Sequence, residues 1–216
     1  MMEFLSQCMS LFYKGGPVMY VIVLCSFVVV AITVERFLYY REVSIDTQAF
    51  INKLQSLLEG ERGAEALQLC EQTSGMIGQL VAKGLQAHMR GSNAEVAMEG
   101  AGSLFAARLR EYLNYLSAIV TLSPLLGLLG TVVGMINSFS VLNVKAGQPM
   151  AITGGVGEAL VATATGLSVA IMAFVVHTYF AHRIDQMITD MEQVTTMVLT
   201  HLPAKKSTRR ENHEIA

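Results

Sequence analysis

The chain has no tryptophan, four prolines and three cysteines in 216 residues, and only 15% of it is charged. Each shortage excludes something. Cys8, Cys25 and Cys70 form no CxxC pair and no metal-ligand spacing, so they read as packing residues, with a redox role as the alternative. No metal or cofactor is called for. The HExxH, GxGxxG and Walker A patterns are missing and no nucleophile–base pair stands out, which argues against an enzyme. The net charge is −2, so nothing in the charge balance points to nucleic acid as a partner. The apolar run near the N-terminus is followed by Val34-Glu35-Arg36-Phe37 rather than by small residues. It therefore lacks a cleavage site and reads as a retained span.

What the chain has instead is apolar length. It is 52% hydrophobic with a mean hydropathy of +0.46, beyond the range of a soluble domain of this size. The fold class that follows is an all-α integral membrane protein with three transmembrane helices and long cytoplasmic helical extensions. Pro17 to Val34 is an uncharged run of 18 residues, enough with its flanks to cross a hydrocarbon core about 30 Å thick. With Phe37, Tyr39 and Tyr40 as an aromatic belt beside Glu35 and Arg36, transmembrane helix 1 is placed at 17–40. Residues 112–144 carry no charge, which makes transmembrane helix 2 with some helical extension, but not two spans. Residues 145–149 form a turn, and transmembrane helix 3, at 150–182, is interrupted by one charge, Glu158.

Between the first two spans, 41–111 reads as a soluble helical segment. Phe50, Leu54, Leu57 and Leu58, then Leu67 and Leu69, recur at helical spacing, and six glycines from Gly60 to Gly91 divide the segment into short helices. Asp46 and Ser92 are the expected N-caps, with Ser92-Asn93-Ala94-Glu95 as a capping box. From Ser92 one long helix is predicted to run through Arg108, Arg110 and Glu111 into the second span without a break. After Arg183, the residues Ile184, Met187, Ile188, Met191, Val194, Met197 and Val198 keep spacings of three and four, so 183–202 continues the third span as an amphipathic helix. The polar stretch 203–216 is expected to be a disordered tail. Lys14 and Lys145 aside, every Lys and Arg lies in 35–111 or beyond 182, which puts both regions in the cytoplasm and the N-terminal segment, 1–16, on the outer side.

The two later spans carry the chemistry. Ser123, Gly127, Gly130, Thr131, Gly134 and Ser138 fall on one helical stripe, and small residues let backbones approach closely where lipid surrounds them. Thr131 either bonds its own i−4 carbonyl as a packing residue or lines an ion or water path. The third span is small on several faces, with Gly155, Gly157, Ala159, Ala162 and Gly166, which suits a helix packed all round by protein. Glu158, Ala162 and Thr165 share one face. Thr163 lies about 140° round from Glu158 at 100° per residue, so the two cannot line one narrow groove of a straight helix. Either one faces a pore and the other a neighbouring subunit, or the helix rotates between states. A carboxylate in hydrocarbon costs on the order of 2.5–3.5 kcal/mol, which makes Glu158 a functional-site candidate, with a snorkelling or helix-capping acid as the alternative. His177 reads as an interface residue rather than a proton relay. One acid per chain is too sparse for a relay across the bilayer, so an oligomer working with a second membrane protein is expected.

Pro124-Leu125-Leu126-Gly127-Leu128-Leu129-Gly130-Thr131-Val132-Val133-Gly134 and Gly157-Glu158-Ala159-Leu160-Val161-Ala162-Thr163-Ala164-Thr165-Gly166-Leu167 resemble the MotA/TolQ/ExbB proton-channel family, and within it the three-span ExbB/TolQ branch. The resemblance implies a pentamer whose second and third spans ring a pore holding the single transmembrane helices of an ExbD/TolR-like dimer. Proton flow down the gradient would then turn one component against the other, and a TonB- or TolA-like protein would carry the work to outer-membrane processes such as nutrient import. The chain would sit among the lipids of a bacterial inner membrane, N-terminus periplasmic and C-terminus cytoplasmic. The family's pore glutamate corresponds to Glu158, its second-span threonine to Thr131 and its third-span threonine to Thr163. Thr165 adds a hydroxyl where an apolar residue is common, and Val133 replaces a frequent bulky aromatic. Protons are the expected ion, with sodium as the alternative. Rival readings are a gliding or other motility stator and a non-conducting membrane scaffold.

Overall fold

A computed structural model describes residues 16–43, 46–60, 62–73, 75–144 and 149–202. They form seven helices: α1 (Gly16–Val43), α2 (Thr47–Glu59), α3 (Gly63–Gln72), α4 (Met76–Met89), α5 (Ala94–Arg110), α6 (Leu113–Val144) and α7 (Pro149–His201). Among the described residues no strand occurs. Three stretches, drawn from α1, α6 and α7 with their neighbours, are long and apolar enough to cross a membrane. The expected outer segment, most of the turn between the last two spans, the tail and Cys8 lie outside the described residues. The described residues divide into two compact units, one of 16–42 with 107–185, the other of 43–106 with 186–202.

In the first unit the polarity of a water-soluble helix is inverted. α1 turns Met19, Ile22, Val29, Ile32, Arg36 and Tyr40 inward along one stripe and leaves Tyr20, Leu24, Phe27, Val30 and Val34 exposed. α6 exposes Leu125, Leu128, Leu129, Val132 and Ile136, and α7 exposes Leu160, Leu167, Ile171 and Phe174. Helices that are apolar on every face suit hydrocarbon or other protein, not water. Pro124 sits inside α6 without ending it.

Two local expectations are corrected here. The predicted unbroken helix from Ser92 is two helices, because α5 ends at Arg110 and Glu111 and Tyr112 form a turn before α6. No glycine or proline marks the place. The turn coincides with a tertiary contact, the Arg36 guanidinium lying 3.8 Å from the centre of the Tyr112 ring, which local sequence does not encode. The second correction concerns the cap of α5. Asn93, not Ser92, holds it, its side-chain oxygen accepting from the N–H groups of Glu95 at 2.9 Å and Val96 at 3.4 Å. Ser92 is already committed to the end of α4. Its N–H donates to the Ala87 carbonyl at 2.8 Å across Gly91, whose φ of 78° is the left-handed conformation such a helix end needs. Asp46 caps α2, accepting from the Ala49 N–H at 3.1 Å.

The second unit has a core of large apolar side chains. Phe50, Leu54 and Leu58 of α2 are buried, as are Leu80, Val81 and Leu85 of α4, Met98 and Phe105 of α5, and Met191, Val194 and Val198 of α7. In α3 the inward positions belong to Ala66 and Cys70, and Leu67 and Leu69, expected there from spacing, are only half-buried. Burial pushes the Cys70 thiol up to about 12, with the Glu71 charge adding to it, so the group stays protonated and unreactive at neutral pH.

Candidate functional site

α6 and α7 meet through glycine. A methyl group on Gly130 would fall 2.6 Å from the Ala162 Cβ, one on Gly134 2.8 Å from the Ala159 Cβ, and one on Gly166 2.6 Å from the Ser123 carbonyl oxygen. On Gly127 it would reach 3.0 Å from the Thr163 Cα, and on Gly155 it would collide with the Ser138 hydroxyl. Carbon atoms do not approach so closely, so the two backbones touch where the side chains are missing. Close approach of this kind supplies van der Waals contact in a medium that gives helices no hydrophobic reason to associate.

The bare backbone also exposes an acceptor. Thr163 Oγ1 donates to the Gly127 carbonyl at 2.8 Å, a hydrogen bond between the two helices. The hydroxyl of Thr163 is thus turned onto its own chain's α6. Gly127 permits this because nothing shields its carbonyl. Thr131 Oγ1 donates within its own helix, to the Leu128 carbonyl at 2.6 Å, three residues back rather than four. Thr165 Oγ1 likewise donates to the Val161 carbonyl at 2.8 Å. Each of the three hydroxyls is thus bonded to a different main-chain carbonyl. Ser123, absent from the candidate pathway, has a fully buried hydroxyl with no hydrogen-bond partner among the described residues.

Glu158 is half-buried on α7. Its carboxylate lies at the start of α1: a methyl on Gly16 would fall 2.5 Å from Oε1, and Gly16 itself has a φ of 67°. The first N–H groups of a helix lack intrahelical partners and carry positive partial charge, so an acid is well placed there. Val18, in the same first turn, approaches Gly130, its Cβ lying 3.8 Å from where a Gly130 methyl would be. Glu158 thus faces α1 while Thr163 faces α6, with Ala159 and Ala162 filling the space against Gly134 and Gly130. The arrangement offers one proton-binding group at a three-helix junction. Among the described residues no cluster of three or more His, Cys, Asp or Glu could hold a metal ion.

Sequence reasoning placed Arg36 at the flank of a span, beside an aromatic belt. Arg36 is in fact buried, 5% exposed. Its guanidinium stacks over Tyr112 and lies 5.0 Å from the centre of the Tyr39 ring, and Glu35 stands 2.8 Å from Nε without aligning on its N–H. Tyr40 leaves the belt as well, donating its hydroxyl to the Leu109 carbonyl at 2.9 Å and packing edge-on to Phe180. The available signal was the spacing of four between Arg36 and Tyr40, which puts both on one helix face.

Residues 72–193 match the model of the MotA/TolQ/ExbB proton channel family. A "Putative biopolymer transport protein ExbB homolog" of Methanothermobacter thermautotrophicus is 29% identical over 90% of this chain and 70% of its own length. "Putative biopolymer transport protein ExbB-like 1" of a Synechocystis strain is 34% identical over 76% of this chain and 67% of its own. "Tol-Pal system protein TolQ" of Pseudomonas aeruginosa is 38% identical over 43% of this chain and 40% of its own.

Proposed function

Because the chain belongs to the MotA/TolQ/ExbB proton channel family, in its ExbB/TolQ branch, we propose that it is the pore-forming subunit of a proton-driven motor that powers a TonB- or Tol-dependent outer-membrane process such as nutrient import. It is a multi-pass inner-membrane protein of an energising complex, and its family comprises channel and scaffold components rather than enzymes. On this reading the chain forms a pentamer with its N-terminus periplasmic and its soluble helical segment and C-terminus cytoplasmic. A dimer of ExbD/TolR-like single-span proteins occupies the central pore, and a TonB- or TolA-like protein receives the work.

The observation that carries the proposal is the placement of Glu158. A single carboxylate, half-buried within a candidate span and set beside Gly16 at the start of α1, is costly to keep in hydrocarbon, and an ionisable group kept at such a place marks a functional site. Protons are the proposed ion. Glu158 binds and releases the proton, Thr131, Thr163 and Thr165 are hydroxyls of the pathway, and Gly127, Gly130, Gly134, Gly155 and Gly166 hold the helices close enough for their relative motion to sense that charge.

The test is Glu158→Gln in proteoliposomes carrying the chain with its ExbD/TolR-like partner. Oligomer size should match the unmodified complex while proton flux falls by more than tenfold. Unchanged flux would sink the pore reading. Absence of any proton flux from the unmodified complex would favour the non-conducting scaffold.

A further inference from the structure

The second unit carries a cleft of roughly 500 Å³ between α5 and the late turns of α7. Its floor is apolar, built on Leu80, Met98 and Met191, all buried. Gly102 keeps one wall low, with only a Leu80 methyl, at 3.8 Å, near the place a side chain would begin. The rim is acidic. Glu95, Glu99 and Glu192 are exposed around it, and none of the described residues lining it is basic. Glu95 and Glu99 stand four apart on α5, a like-charge spacing that disfavours the helix unless a cation is supplied from elsewhere.

We propose that this cleft is the docking site of the chain's own C-terminal segment, residues 203–216, held through the run Lys205-Lys206-Ser207-Thr208-Arg209-Arg210. Charge complementarity favours this occupant, since the run has four cations in six residues and faces three carboxylates. Reach favours it as well. Leu199 in the last turns of α7 already lines the cleft, and the segment begins just beyond Leu202. Glu192 lies about 15 Å back along α7 from Leu202 at 1.5 Å per residue, a distance that extended chain covers in about five residues. Lys206 to Arg210 can therefore meet Glu192 and its neighbours in charge-assisted hydrogen bonds. The serine and threonine between the two basic pairs leave the cations free to straddle both helices.

The full chain, with its partner subunits and in neutral-lipid nanodiscs, is treated with a zero-length carbodiimide and digested for mass spectrometry. Amide links from Lys205 or Lys206 to Glu99 or Glu192 are expected. Their yield should fall at least fivefold in Arg209→Glu/Arg210→Glu, which keeps both lysines. It should also fall between about 0.01 M and 1 M salt, as the screening length shrinks from about 30 Å to about 3 Å. A copy with Glu95→Gln/Glu99→Gln/Glu192→Gln is then co-expressed with one carrying Lys205→Arg/Lys206→Arg, a mixture in which only links between subunits can form. No link should appear there. Links in that mixture would mean that a second copy fills the cleft and would overturn the proposal. So would the absence of links in the unmodified protein, or lysines shielded from acetylation only when anionic lipid is present, which would hand the basic run to the membrane surface.

Discussion

The two halves of α7 are one continuous helix built on opposite rules. Over its first half the buried positions are mostly alanine, at 159, 162, 170 and 173, while large side chains such as Leu160, Ile171 and Phe174 point outward. Over its second half the buried positions are Phe180, Ile184, Met191, Val194 and Val198, and the outward ones include Glu192 and Thr196. The difference follows from what surrounds each half. In water, burying a methylene is worth about 0.8 kcal/mol, so bulk belongs inside. In lipid that term vanishes, and only proximity, dispersion and the occasional hydrogen bond reward contact, so bulk goes outside and glycine and alanine go between.

The contrast can be broken most severely at the crossing itself. Gly130→Leu places a branched side chain where even a methyl meets the Ala162 Cβ at 2.6 Å. Neither partner has a flexible end to withdraw, so the cost should exceed the usual overpacking penalty of about 1–3 kcal/mol. Size-exclusion chromatography in detergent should show loss of the folded assembly, and an intact assembly would mean that the backbones are not in contact. In the second unit the opposite change is the damaging one. Leu80→Ala empties a fully buried site and should lower stability by about 2–5 kcal/mol in chemical denaturation, whereas small-to-large is the harmful direction at Gly130. The mildest probe separates hydrogen bonding from proximity. Thr163→Val keeps the shape and removes the donor to the Gly127 carbonyl. A loss of about 0.6–1.7 kcal/mol in a steric-trap unfolding assay would be in line with interhelical hydrogen bonds in membranes, and no loss would leave proximity as the only glue.

The crossing was legible in the sequence because it is periodic: Ser123, Gly127, Gly130, Gly134 and Ser138 recur at the helix repeat, and that repeat needs no tertiary knowledge. The acid was legible because hydrocarbon makes any charge conspicuous. What escaped depends on partners distant in the chain. Thr163 finds a carbonyl 36 residues away, Glu158 finds the start of α1, and Arg36 finds Tyr112, so no local pattern could name them. The misplaced cap at Ser92 has a different origin, competition between adjacent residues. Either Ser92 or Asn93 could cap α5, and the closing turn of α4 claimed Ser92 first.

The touching backbones at Gly127 and Gly166 have a practical corollary for anyone surveying this molecule by truncation. Replacement with alanine ordinarily deletes atoms and reads out what they contributed, but at these glycines it inserts a carbon against the Thr163 main chain or the Ser123 oxygen. A scan scored on the usual assumption would assign those positions a role for a side chain that neither possesses. This join is held by atoms that such a survey has no means to remove, and only graded enlargement, from alanine to serine to valine, can map it.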